Sequence, residues 1–478
     1  MPFQMLLAER SRSHPLSVEM SLDFHLCQTA LNAIMALVPQ IRSLELFGEG
    51  ECVEGFLDCL AGGYSADALE HIRIFGDECS VSPNIFEAGT PRLRSLQLDG
   101  LNNIASVSPL LRSGCVTDLK FSNLSFRPTW EQLFELLQDL QGTLQSFTVD
   151  DVLPLDVDQS SHHASYPVLQ LPQLRDLCLI DLPALAYRFL KGVRIPQSAR
   201  VGLHQWGEIG QCEVDLRALF SALCTARSSS ISFKCLAVSD RNYDLLVEGW
   251  EDEQSFDHKG APTTRPLLST YNQHQTIQAY RELFDDDSEP FSLTTFKEHF
   301  SISGVSLSNL QSLVIRSEVE AEDAAITKTK IFWEVVSDLP HLSKVSVSPP
   351  ASVALLHCLM DDSVNIEALK ATAILRRLLP KDDPSKQRQS AFPRRLPALK
   401  TLTFDGRPDS PWSRRDSASM AQFVKEIDLL EQNLGLRHGL GEGLEKLVFN
   451  EWNPLPGNIE TLKQFVTTVL VRGSGESA

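Results

Sequence analysis

Apolar-x-x-apolar-x-apolar recurs along this chain at intervals that ordinary single α/β domains do not repeat. It stands as IRSLEL from Ile41, LEHIRI from Leu69, LRSLQL from Leu93, VTDLKF from Val116, LQSFTV from Leu144 and LRDLCL from Leu174, at successive intervals of 28, 24, 23, 28 and 30 residues. Later copies are FKCLAV from Phe233, LQSLVI from Leu310, LSKVSV from Leu342, LKTLTF from Leu399 and LEKLVF from Leu444. The last three positions alternate apolar, variable, apolar, the pattern of a short strand with one buried face. A period of about 20 to 50 residues marks an array of stacked units, because one short strand with its helix cannot hide its own apolar surface.

Helical spacing fills the intervals. Val53, Phe56, Leu57 and Leu60 fall at i, i+3, i+4 and i+7, and Phe423, Val424, Ile427 and Leu430 recur with nearly the same spacing. Thr129 with Gln132 predicts a capping box ahead of a helix that buries Leu133, Phe134, Leu137 and Leu140. Ile459 to Leu470 predicts a closing helix through Leu462, Phe465, Val466 and Val469, and alternation in Leu16-Ser-Val-Glu-Met20 predicts a first strand. The expected architecture is a curved α/β solenoid, with a parallel sheet lining its concave side and helices on its convex side. Residues 1–200 form the more regular repeats, and residues 201–478 form irregular ones with insertions near 250–300 and 380–418.

The copies Leu93-Arg-Ser-Leu96-Gln-Leu98 and Leu174-Arg-Asp-Leu177-Cys-Leu179 resemble the leucine-rich repeat family, the resemblance running from Ile41 to Phe449. In that family an Asn or Cys three residues beyond the last leucine satisfies backbone groups at the turn; here those positions hold Leu101, Leu124, Val152 and Leu182. The loops are therefore expected to be built differently, in an irregular leucine-rich-repeat-like fold. The opening Leu7-Ala-Glu-Arg-Ser11, then Pro15-Leu-Ser-Val18 and Pro39-Gln-Ile-Arg-Ser-Leu44-Glu-Leu46, resembles the region that follows the F-box in fungal F-box proteins with repeat-like C-terminal domains. That resemblance implies the substrate-recognition region of a ubiquitin-ligase receptor. The helical F-box module is longer than the segment before Leu16, so contact with the ligase adaptor is expected only if a preceding segment supplies it.

Charge narrows the partners. With 43 Lys and Arg against 62 Asp and Glu, the net charge is −19, which opposes attraction to nucleic acid or anionic lipid. No apolar run approaches the roughly 20 residues that span a bilayer, and Glu9 and Arg10 interrupt the opening before a signal-peptide core forms. A cytoplasmic or nuclear protein is expected. The ten cysteines lie singly, without C-x-x-C pairs, as expected of reduced thiols.

Four segments are expected to be loops or solvated insertions. Asp151 to Tyr166 carries His162-His163 without a third metal ligand. Trp250 to Phe300, with Asp285-Asp-Asp287 and Glu289, reads as an insertion that is partly helical and partly mobile; Arg376 to Arg395 is a basic linker. Gly406 to Ser419 contains Arg414-Arg-Asp-Ser417, which resembles a basophilic kinase site at the start of a predicted helix.

Catalytic motifs are absent: the chain has no Walker A lysine motif, no H-E-x-x-H and no G-x-S-x-G. Gly439-Leu-Gly441-Glu-Gly443 precedes a strand, and a phosphate loop needs a helix there. No cofactor or metal is expected. The leading expectation is a non-catalytic protein–protein interaction scaffold, and the alternative is a hydrolase or transferase with a site built from the insertions.

Strand alternation places the binding surface. The variable residues between the paired apolar positions point away from the core. They form a middle column of Glu45, Arg73, Gln97, Lys120, Thr148 and Cys178, continuing through Ala237, Val314, Ser346, Thr403 and Val448. A second column begins Phe47, Phe75, Asp99, Ser122 and Asp150. Aromatic residues beside alternating charges suit a protein partner, and Glu45, Phe47, Arg73, Phe75, Gln97, Asp99 and Lys120 are the expected contact residues.

Overall fold

A computed structural model describes residues 14–22, 34–61, 65–82, 85–86, 89–102, 108–111, 115–155, 167–205, 216–241, 244–251, 266, 268–273, 305–317, 336, 339–348, 355–356, 359, 396, 398–405, 417–439, 443–450, 454 and 456–472. It is a mixed α/β protein dominated by parallel strands. The chain divides into two compact units, Met1–Ser229 and Ser230–Ala478.

In the first unit the strands are β1 (Leu16–Leu22), β2 (Ile41–Gly48), β3 (His71–Cys79), β4 (Ser95–Leu101), β5 (Asp118–Ser122), β6 (Ser146–Asp150), β7 (Leu169–Gln170), β8 (Asp176–Asp181), β9 (Val193–Arg194) and β10 (Arg200–Gln205). Seven parallel pairings join β1-β2-β3-β4-β5-β6-β8-β10 in chain order. A doubly wound sheet reverses its strand order at a switch point; this one never reverses. β7 and β9 form a separate short parallel pair.

Leu44, Leu46, Ile72, Ile74, Leu96, Leu98, Leu119, Phe121, Phe147 and Val149 are buried on one sheet face. The helix Gly50–Leu60 buries Val53, Phe56, Leu57 and Leu60, and Phe56 and Leu60 line an apolar space together with Ile41 and Leu44. The helix Trp130–Asp139 starts with the expected capping box, in which the Gln132 amide donates to Thr129 Oγ1 at 3.2 Å and the Thr129 amide to Gln132 Oε1 at 2.9 Å. From it Phe134 reaches Phe189 of the helix Pro183–Gly192 at 6.2 Å, and Phe189 meets Phe147 of β6 at 5.8 Å. Helices and strands of this face thus share one core.

The second unit contains β11 (Ile231–Ser232), β12 (Cys235–Arg241), β13 (Asp244–Trp250), β14 (Leu268–Gln273), β15 (Val305–Ser306), β16 (Ser312–Ser317), β17 (Lys344–Val347), β18 (Thr401–Asp405), β19 (Lys446–Asn450) and β20 (Thr468–Arg472). Strands β12-β16-β17-β18-β19-β20 are parallel neighbours. The expected all-parallel sheet is corrected at β12-β13-β14, which pair antiparallel. Only positions 242–243 separate β12 from β13, and so short a connection permits only a hairpin. Of the insertion expected between Trp250 and Phe300, the described residues Trp250 and 268–273 are strand.

All eleven motif copies end in strands, and their first residues, from Ile41 to Leu444, are buried. Their second residues form a backbone ladder. The amides of Glu70, Arg94, Thr117, Gln145 and Arg175 each donate to the carbonyl of the equivalent residue one copy earlier, at 2.7–2.8 Å. In the second unit the amides of Gln311, Ser343, Lys400 and Glu445 do the same at 2.8–2.9 Å. Copies of unequal length are thus structurally equivalent.

The closing helix is also corrected. It spans Pro456–Leu462, and β20 follows from Thr468. Thr467, Thr468, Val469 and Val471 are β-branched, which favours a strand over the helical spacing. The helix Ser417–Gly439 covers the second predicted stripe, with Ile427 and Leu430 buried. His162-His163, Asp285 to Glu289, Arg376 to Arg395 and Arg414 lie outside the described residues. Among those described, no helix is long and apolar enough to cross a membrane.

Candidate functional site

The register of the first sheet sets its outer face. One row crosses the strands as Glu19, Glu45, Arg73, Gln97, Lys120, Thr148, Cys178 and Gly202; the next crosses as Ser21, Phe47, Phe75, Asp99, Ser122, Asp150, Ile180 and His204. All seven expected contact residues lie in these two rows on neighbouring strands β2 to β5, and each keeps intermediate exposure.

Pairing brings the aromatic residues together. Phe47 and Phe75 stack with ring centroids 4.9 Å apart and planes 10° from parallel. Arg73 lays its guanidinium 4.4 Å from the Phe75 centroid and 5.8 Å from that of Phe47, and its Nη1 lies 3.6 Å from Glu45 Oε2. Such cation–π contacts hold a planar cation flat on the rings. Arg73 Nε is buried without a hydrogen-bond partner, while the side chain as a whole remains 43% exposed. The cluster presents stacked rings, a fixed guanidinium and a carboxylate at one surface.

Beyond it the face turns acidic. Asp99 and Asp150 flank Ser122 in one row, and Lys120 stands beside them in the other. Burial pushes the Asp150 carboxyl up, with Lys120 opposing and Asp151, Asp99 and Asp181 adding to the rise. The Asn123 amide donates to Asp99 Oδ1 at 3.1 Å. Ser122 is 1% exposed, and its hydroxyl has no hydrogen-bond partner.

Further along, Cys178 and His204 border Gly202. A Cβ at Gly202 would lie 3.3 Å from the Cys178 sulfur and 3.5 Å from His204 Nε2. Burial pushes the Cys178 thiol up to about 11 and holds the His204 imidazole below its usual value. Both shifts favour neutral thiol and neutral imidazole, the opposite of the thiolate that a nucleophilic cysteine requires.

The loop beside this row is held by a group that sequence reasoning missed. Asp181, with a side chain 1% exposed, accepts from the amides of Val152 at 3.0 Å, Leu153 at 2.8 Å and Leu182 at 2.8 Å. Arg127 donates to Asp181 Oδ1 at 3.1 Å and to the Leu153 carbonyl at 2.8 Å, and pairs with Asp151. Asn102 does similar work on an earlier loop, donating to the Glu78 carbonyl at 2.6 Å. The polar groups that hold these two loops are thus Asn102 and Asp181, adjacent to positions 101 and 182, while Leu101, Leu124 and Val152 are buried. A buried carboxylate that takes several backbone amides replaces the asparagine.

The middle column does not stay open in the second unit. Ala237, Val314 and Val448, expected to point away from the core of the repeats, are buried. Ala237 and Val314 pack in one cluster with Cys235 and Trp250. The indole arrives on β13, the hairpin strand that the motif does not reveal. Ser346 and Thr403 keep intermediate exposure.

Among the described residues no group of three or more His, Cys, Asp or Glu is arranged to hold a metal ion. No protein-family model matches the chain, and no curated protein matches it.

Proposed function

We infer that the chain is a non-catalytic protein-interaction scaffold with a leucine-rich-repeat-like solenoid architecture, and that the outer face of β2 to β5 is its docking surface. The carrying observation is the Phe47–Phe75 stack with Arg73 laid on it, partly exposed on the sheet face opposite the buried apolar residues of β2 to β5. Rigid aromatic and arginine groups concentrate binding energy at protein interfaces. Curvature follows from spacing. Parallel strands sit about 4.8 Å apart, whereas packed helices need about 8–10 Å, so a strand–helix array bends with its strands on the inside. Glu45, Phe47, Arg73, Phe75, Gln97, Asp99 and Lys120 then line the concave side.

The test is affinity capture on the immobilised full chain from extracts of cells that express it, compared with the Phe47→Ala/Phe75→Ala variant. Neither ring belongs to the buried core, so the variant should keep the native circular dichroism and lose the captured partner. Identical capture by both proteins refutes the assignment. Including purified ubiquitin-ligase adaptor in the same assay tests the receptor role that the F-box resemblance implies; an adaptor that does not bind removes that role and leaves the scaffold standing.

A further inference from the structure

We propose that the docking face takes an extended, basic polypeptide segment, with an aromatic or aliphatic side chain on the Phe47–Phe75 stack and a Lys or Arg in the Asp99–Ser122–Asp150 row. This rests on the scaffold reading above and adds the chemistry of its partner.

Charge complementarity selects the occupant. On the outer face Glu45 is neutralised by Arg73 and Asp176 by Arg200, whose Nε lies 2.7 Å from the Asp176 carboxylate. What remains among the described residues of the two site rows and the row through Ser43, His71, Ser95 and Asp118 is Glu19, Asp99, Asp118 and Asp150, against Lys120 and the imidazoles of His71 and His204. A like-charged cluster that keeps a net negative charge after its own pairing attracts a cation and repels an acidic chain.

Ser122 marks where the cation would sit. The residue lies in the outer row of β5, between Asp99 and Asp150 in register, and its hydroxyl is buried and unpartnered. Leaving such a group unsatisfied is unfavourable, and an ammonium or guanidinium held by Asp99 and Asp150 would bring a donor beside it. The Asn123 side-chain amide already donates to Asp99 Oδ1 at 3.1 Å.

Geometry fixes the spacing. Strands lie about 4.8 Å apart, so the centre of the Phe47–Phe75 pair is two and a half strands, about 12 Å, from Ser122. An extended peptide at about 3.3 Å per residue covers this in about four residues. The segment therefore runs across the strands, with its cation three or four positions from its apolar anchor.

Selection of a random twelve-residue peptide library on the immobilised full chain tests this, followed by fluorescence polarisation with the enriched peptides. The expected result is enrichment of Lys or Arg three or four residues from an aromatic or aliphatic residue. Affinity should fall about tenfold in the Asp99→Asn/Asp150→Asn variant and weaken as salt is raised. It should be lost in the Phe47→Ala/Phe75→Ala variant. Enriched peptides that are acidic or neutral yet need the two rings overturn the basic partner and leave the scaffold face intact. Peptides that bind the ring variant unchanged overturn both, and failure to enrich any peptide overturns the inference. Calcium or magnesium binding that disappears in Asp99→Asn/Asp150→Asn, measured by calorimetry without peptide, also overturns it, because a metal would then own the row.

Discussion

Gly100 follows Asp99 on β4 and has φ of +73°, and a Cβ built on it would lie 2.5 Å from the Gly76 carbonyl oxygen on the preceding strand. Replacing it with alanine therefore has two costs. An L side chain in the left-handed region is disfavoured by about 1–2 kcal/mol, and moving packed sheet backbone to relieve the overlap adds about 1–3 kcal/mol. The total is about 3 kcal/mol, a large fraction of the 5–15 kcal/mol typical of a domain. For a unit the size of Met1–Ser229, each kcal/mol moves Tm by about 2–4 °C, so Gly100→Ala should lower the first unit's transition by about 6–12 °C. Differential scanning calorimetry of the full chain reads this. Gly142→Ala is the control: a Cβ there meets nothing within 4 Å, and the change should be neutral or stabilising by up to about 1 kcal/mol. A Gly100→Ala shift no larger than that of Gly142→Ala would refute the close stacking of β3 and β4 through Gly76 and Gly100.

Two substitutions address the acidic end of the face. Asp181→Asn keeps the shape but replaces one acceptor oxygen with a donor facing the backbone amides of Val152, Leu153 or Leu182. It should destabilise the first unit by about 3–5 kcal/mol, measured by urea unfolding, and a loss below about 1 kcal/mol would contradict the clasp. Asp150→Asn should do the reverse. Burial raises the folded-state pKa of Asp150, so ionisation costs stability as pH rises from the ordinary carboxyl value through the raised one. The variant should be more stable than wild type at pH 7, with the gain fading once pH falls below the ordinary aspartate range. A gain independent of pH would contradict the electrostatic origin.

How far the sequence revealed this depends on which physical period governed each segment. The apolar positions of the motif located the eleven strands they end in, because a buried first residue and an alternating tail leave few other solutions. β10 escaped because Ser198 occupies the first position of SARVGL, although Val201 and Leu203 are buried as usual. β20 escaped for a different reason. VTTVLV from Val466 fits the motif, but Leu462, Phe465, Val466 and Val469 also satisfy helical spacing, and periodicity alone does not decide between them. β13 and β14 carry no copy of the motif, so the burial of Ala237 and Val314 in one cluster with Trp250 was not legible. On the first sheet the two outer rows were readable because strand alternation fixes the side of every residue. The ring stack and the unpartnered Ser122 were not, since they depend on register and contacts between copies. Asp181 precedes Leu182, which stands where the resembled family carries its polar residue, and only its amide partners identify it.

A crystal or cryo-EM structure of the full chain tests the central claim most directly. The account predicts Glu45, Arg73, Gln97, Lys120 and Thr148 side by side on parallel strands, with Phe47 stacked on Phe75 and the helices confined to the opposite side of the sheet. Helices seated over Phe47 and Phe75, or these strands paired antiparallel, would contradict it.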